Sequence, residues 1–319
     1  MATSKASSTE GSTSTPRQQR VLRGVRVLSL ALNLPGPAAL MRLQGMGAHC
    51  TKLEPPAPPG GASASGDPMA HYRHQAYQTM HQGVRTVQAD LKSSPGQAVL
   101  ARLLRNTDVL ITSFRPSALN KLGLGWKSLQ RLYPTLSCVA IVGAPGARAE
   151  EPGHDLTYVA EQGLVDGLQL PASLFADMGG SLMASEAVLK ALMLRAQPGQ
   201  NQGKGVLLEV ALSEAAAYLA LPRHWGLTTP KGAVGGAHAG YQIYPCKDGR
   251  VAVAALEPHF AKRLLTAAGM TQVGPTTPLT PQAHQAVAHF FAGQTRRQLE
   301  RLATTQDIPL HTLPRKAGL

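Results

Sequence analysis

The chain has 319 residues, 43% hydrophobic and 15% charged, which is enough for a large core and two domains and excludes a disordered protein. Its three cysteines, Cys50, Cys138 and Cys246, are widely spaced with no Cys-x-x-Cys run, which excludes a disulfide framework and a cysteine zinc site and fits a reducing cytoplasm. The net charge of +13 is scattered over single and paired Lys and Arg, aromatics are only 4%, and no stretch approaches the roughly 18 apolar residues of a membrane span, so neither nucleic acid nor membrane is an expected partner.

Residues 1–21 are Ser/Thr-rich with no apolar run for a signal peptide, and read as a disordered tail. Strand and helix signals then alternate. Val25 to Leu30 is a short apolar strand, Pro35-Gly36-Pro37 turns the chain into a helix over Ala38 to Gly45, and His49 to Leu53 supplies a second strand. Together they form the strand-helix-strand unit of a parallel sheet. Ser94 is placed to cap a helix running to about Arg105, with Pro95 in its first turn and Gln97 completing a capping box. Asp108 to Phe114 and Leu136 to Val142 are further buried strands, separated by a turn at Leu122-Gly123-Leu124-Gly125 and a helix-compatible stretch. The predicted class is therefore α/β, with a Rossmann-like parallel sheet. A dinucleotide fingerprint needs three glycines in the first turn, where this chain has Gly36 between two prolines. No nicotinamide cofactor is expected, and Glu54 reads as a surface acid at a strand end.

Leu182 to Leu194 is apolar on nearly every face and predicts a largely buried helix. If that helix begins near Gly179, its free amides and dipole favour an ionised carboxylate at Asp177, able to act as base or nucleophile; a plain helix cap is the alternative. Asp248-Gly249 signals a hairpin, Arg250 to Leu256 is β-rich, and Glu257-Pro258 marks a strand-to-helix junction at which an acid is favoured by the dipole alone. His154 is one of eleven histidines and on its own would more often be structural than catalytic. The expected organisation is a large domain over 22–195, a helical connection over 196–230 and a small α+β domain over 231–319.

Several runs, in this order, resemble family III CoA-transferases, the group that also contains alpha-methylacyl-CoA racemase. They include Gly24-Val25-Arg26-Val27-Leu28, Lys52-Leu53-Glu54-Pro55-Pro56, Gly66-Asp67-Pro68, Asp108-Val109-Leu110-Ile111 and Phe114-Arg115-Pro116. Leu122-Gly123-Leu124-Gly125, Gly153-His154-Asp155-Leu156-Thr157-Tyr158 and Ala176-Asp177-Met178-Gly179-Gly180 continue the series. The resemblance implies that Asp177 is the reactive carboxylate, that His154 is the second acid/base group of the racemase branch, and that Glu257 supports both. It further implies an interlaced homodimer, an acyl-CoA thioester as substrate with no separate cofactor, and CoA phosphate contacts from Arg115, with Lys52 and Arg85 as helpers. Members of the family usually continue with a segment that returns to the first domain, so a truncated subfamily or a rearranged pocket is a further expectation here.

A thioester acidifies the α-hydrogen of its acyl group, so two groups on opposite faces can deprotonate and reprotonate that carbon. The racemase expectation gives these roles to His154 and Asp177, with backbone amides at Gly179 and Gly180 stabilising the enolate oxygen. The competing expectation is a CoA-transferase in which Asp177 attacks the thioester and passes through an anhydride, with Gly235-Gly236-Ala237-His238-Ala239-Gly240 as a shielding loop. A third is a CoA-ester-binding homologue without turnover.

Overall fold

The computed structural model describes residues 20–60, 64–197 and 203–315; the expected tail therefore lies outside the described residues except for Arg20 and Val21. Two compact units divide the chain at Leu219 and Ala220.

The first unit contains β1 (Arg26–Ser29), α1 (Pro35–Gly45), β2 (His49–Glu54), α2 (Pro68–Tyr72), α3 (His74–Met80), β3 (Arg85–Gln88), α4 (Ser94–Leu104) and β4 (Val109–Thr112). It continues with α5 (Pro116–Lys121), α6 (Trp126–Leu132), β5 (Ser137–Val142), α7 (Asp155–Glu161), α8 (Phe175–Ala196), β6 (Leu207–Ala211) and α9 (Leu212–Leu219). The six strands are all parallel, in the order β3-β2-β1-β4-β5-β6. This is the doubly wound Rossmann order, whose chain reverses direction between β1 and β4 and opens a crevice there at the carboxyl ends of the strands.

Strand alternation explains why both faces are covered. Val27, Val109, Ile111, Val139 and Ile141 pack with Leu40 and Leu43 of α1 and Ala184 and Val188 of α8. Their neighbours Leu28, Leu110 and Cys138 turn to the opposite face and pack with Leu100 and Leu104 of α4 and Leu129 of α6. Successive residues of a strand point to opposite sides, so a sheet buried on both faces needs such unbroken apolar runs. At α4 the cap is Ser93, not Ser94: the Ser93 hydroxyl accepts the Gly96 amide at 3.1 Å, while Gln97 Nε2 donates to the Leu91 carbonyl instead of closing a capping box. The stretch expected as a connection supplies β6, the sheet's outer strand beside β5.

Helix α8 is longer than expected and only part of it is buried. Ala176, Gly180, Ser181, Ala184, Ala187, Val188 and Ala191 face the protein, and small residues let other helices come close: a Cβ at Gly180 would lie 2.3 Å from Leu212 Cδ2 of α9. Met178, Leu182 and Met193 are exposed along another stripe.

The second unit contains α10 (Leu221–His224), β7 (Tyr241–Cys246), β8 (Gly249–Ala254), α11 (Pro258–Ala267), α12 (Pro281–Ala292), α13 (Arg296–Gln306) and β9 (Leu310–Pro314). Its three strands form an antiparallel sheet, β7-β8-β9, with the β7–β8 hairpin turning at the expected Asp248-Gly249. Val251, Val253, Leu264, Val287, Phe291 and Leu299 form its own core.

Candidate active site

The loop leaving the carboxyl end of β5 returns the chain at Pro152-Gly153 into α7, and His154 is the N-cap residue of that helix. Thr157 holds its main chain: the hydroxyl accepts the His154 amide at 3.2 Å and donates to the His154 carbonyl at 2.7 Å. His154 lies exposed on the surface of the chain.

Asp155, the next residue, is 5% exposed, and its Oδ1 accepts the backbone amide of Asp177 at 3.0 Å. A helix leaves its first amides without partners, and here one of them, at the third residue of α8, is satisfied by a carboxylate 22 positions earlier in the chain. That bond ties the His154 segment to the Asp177 segment. It also places a second negative charge beside Asp177. Burial first, and the Asp155 charge second, push the Asp177 carboxyl up from 3.8 to about 6, with nearby His154 acting in the opposite sense. Desolvation and a like charge both disfavour the ionised form of an acid.

The outcome differs from the expectation of a carboxylate kept ionised by a helix dipole. Helix α8 begins at Phe175, so Asp177 lies inside its first turn. Gly179 and Gly180 are then deep enough that their amides fall in register with the carbonyls of Phe175 and Ala176. They are not available to an enolate oxygen, and the unpartnered amides at this helix start belong to Phe175 and Ala176.

Tyr158 completes the surroundings of the pair. Its hydroxyl is buried against two glycines, where a Cβ at Gly143 would lie 2.1 Å away and one at Gly153 2.3 Å away. Burial and then the charge of Asp177 push this hydroxyl up, opposed by Arg115 and Arg148. Arg115 is thus within electrostatic reach of the same cluster. It is the N-cap residue of α5, just past the carboxyl end of β4 and beside the switch point of the sheet. Ser117 fixes that corner by giving its amide and hydroxyl to the two oxygens of Glu150, each at 2.7 Å, which holds the Glu150 carboxyl below its ordinary value. A small cavity of about 120 Å³ next to Tyr158 is lined by Ala144, Arg148, Glu151, Thr157 and Glu161.

Other expected site residues fall elsewhere. Lys52 is fully buried: its ammonium bonds Asp67, lies 3.3 Å from Glu54 Oε2 and stands 5.0 Å over the Tyr77 ring. It is a structural ion and not a contact for CoA. Glu54, expected on the surface, is 1% exposed and also accepts the Tyr77 hydroxyl at 3.0 Å. A strand-end acid can be buried when a neighbouring strand residue supplies the counter-charge, and Lys52 does so from two positions away. Arg85 opens β3 and lines a separate cleft with Arg26 and His49, the first residues of β1 and β2. It belongs to the amino end of the sheet and Arg115 to the carboxyl end. Glu257 is the exposed N-cap residue of α11, in the second unit. Sequence reading did not give Asp155 a role; its place between His154 and Leu156 offered a signal only in hindsight, because its partner is an amide that no side-chain motif records.

The α/β fold presents a carboxylate and a histidine at the carboxyl end of a doubly wound sheet. The model of CoA-transferase family III matches residues 22–316. The chain is 28% identical over 299 residues to alpha-methylacyl-CoA racemase from Homo sapiens, covering 87% of this chain and 73% of that one. It is 30% identical to succinate–glutarate CoA-transferase from Agrobacterium fabrum, covering 74% and 64%. A crystal structure of a hypothetical protein from Mycobacterium tuberculosis superposes with a TM-score of 0.74 at 20% identity, covering 94% of both chains. The chain belongs to CoA-transferase family III.

Proposed function

We propose that this protein is a 2-methylacyl-CoA racemase in which Asp177 and His154 exchange a proton at the α-carbon of the thioester. The observation that carries this reading is the Asp177 carboxyl pushed up to about 6, bound through its own amide to the residue that follows His154. A general base works best when its pKa lies near the operating pH, whereas a carboxylate nucleophile gains nothing from being held protonated.

The steps balance simply. Ionised Asp177 takes the α-proton, the C–H electron pair moves into an enolate with its charge on the thioester oxygen, and protonated His154 returns a proton to the opposite face. The reverse direction exchanges the roles. Phe175 and Ala176 amides are donors for the enolate oxygen. Arg115 meets a CoA phosphate, a fork geometry suited to that group. CoA enters as part of the substrate with no added cofactor. A second reading, transfer of CoA through an Asp177-acyl anhydride, is favoured by the similarity to a succinate–glutarate CoA-transferase.

A homodimer belongs to the same proposal. Met178, Leu182 and Met193 lie on one stripe of α8, and Leu168 and Leu170 are almost wholly uncovered nearby in sequence, which leaves an apolar surface for a second copy. Among the described residues no helix is long and apolar enough to cross a membrane, and a cytoplasmic location remains part of the proposal.

The test is incubation with a single-stereoisomer 2-methylacyl-CoA in deuterated water, with and without an acceptor acid. Deuterium at the α-carbon with loss of stereochemical purity is expected, and His154→Ala should lower that exchange by at least about a hundredfold. Movement of CoA from the 2-methylacyl thioester to the acceptor acid, with release of the free 2-methyl acid, undiminished in His154→Ala, would instead establish the transferase.

A further inference from the structure

At the end of the sheet away from Arg115, a cleft of about 1750 Å³ is lined by Arg20, Arg23, Arg26, Arg85, Arg102 and His49. These come from the turn before β1, the starts of β1, β2 and β3, and helix α4, so only the tertiary fold gathers them. Among the described residues no Asp or Glu lines the cleft. Of the lining arginines, Arg26 is paired with Asp108, which also bonds Arg195. Among the described residues, Arg20, Arg23, Arg85 and Arg102 have no ion-pair or hydrogen-bond partner for their guanidinium groups.

We infer that this cleft binds a ligand bearing a chain of phosphates. Guanidinium forks match phosphate oxygens two at a time and are weakly hydrated, so they bind such anions more strongly than lysines would. Gathering like charges around one hollow also costs the folded chain repulsion that an anion relieves. A second copy of this chain is a poor occupant, since it too carries a net charge of +13. The volume exceeds the roughly 300–1,000 Å³ of ordinary small-molecule sites, which leaves room for a nucleoside beside the phosphates. The site is separate from the one proposed for acyl-CoA, because strand direction puts the two at opposite ends of the sheet.

The experiment titrates the full chain with inorganic tripolyphosphate, with ATP and with polyglutamate, by calorimetry and by thermal unfolding. Saturable binding of tripolyphosphate at one site is expected, weakening as salt rises, with a ligand-dependent rise in Tm. Arg85→Ala with Arg102→Ala should weaken binding by about tenfold or more for each arginine removed and, without ligand, melt no lower than the natural chain because repulsion is relieved. Arg85→Lys with Arg102→Lys keeps the charge without the fork and should bind at intermediate strength. ATP binding more tightly than tripolyphosphate identifies a nucleotide, and equal binding identifies the phosphate chain alone; both support the inference. Absence of saturation, unchanged affinity in the double Ala variant, or polyglutamate binding as tightly as tripolyphosphate would overturn it.

Discussion

Replacing Asp177 by Asn should remove activity and at the same time stabilise the protein. The carboxyl is raised from 3.8 to about 6 by burial and by Asp155, which as a rise corresponds to about 3 kcal/mol against the charged form. Partial exposure of the group brings the usable figure to ~1–2 kcal/mol. Between these two pH values the native chain holds a proton that the unfolded chain has lost, so stability falls as pH rises through the window. Below about 4 the cost is absent and above about 6 it is complete. Asn has the same shape and no charge. At pH 8 the variant should therefore melt ~2–6 °C higher than the natural chain, and at pH 4 the two should melt nearly together. Paired thermal unfolding of both chains at these two pH values is the assay. A variant that melts lower at pH 8, or that gains equally at both, would show that the Asp177 charge is not held at a cost and would sink the argument for a tuned base.

Further outcomes follow from the same geometry. Asp155→Asn keeps an oxygen to accept the Asp177 amide but removes the like charge, so the acid limb of kcat/KM should move from about 6 to lower pH; an unmoved limb in a pH series refutes the coupling. Lys52→Met leaves Glu54 and Asp67 buried without a counter-charge and should cost about 3–5 kcal/mol in denaturant unfolding. Gly143→Ala drives a methyl into the Tyr158 hydroxyl and should cost about 1–3 kcal/mol, most of it recovered by adding Tyr158→Phe. No recovery in the double variant would mean that some other atom sets the limit.

The strands and the family were readable from the chain because they depend on local and ordered signals. Val109 to Ile111 is an unbroken apolar run, as a strand covered on both faces requires. Proline at helix starts, as at Pro35, Pro95, Pro116 and Pro258, follows from its fixed φ and missing amide. His154 and Asp177 carry motif runs, so their candidacy was legible too.

What the sequence could not supply was which charges meet. Glu54 read as a surface acid and Lys52 as a helper for a CoA phosphate, yet the fold places both with Asp67 where none touches water. Asp177 read as an acid favoured by a helix start. Its rise to about 6 is set first by the packing that buries it and then by the charge of Asp155, 22 residues earlier. Arg85 read as a partner of Arg115, but parallel strand direction separates the two ends of the sheet. A side chain's identity fixes what it can donate, accept or ionise, whereas its pKa and its partners depend on desolvation and distance, which exist only once the chain has folded.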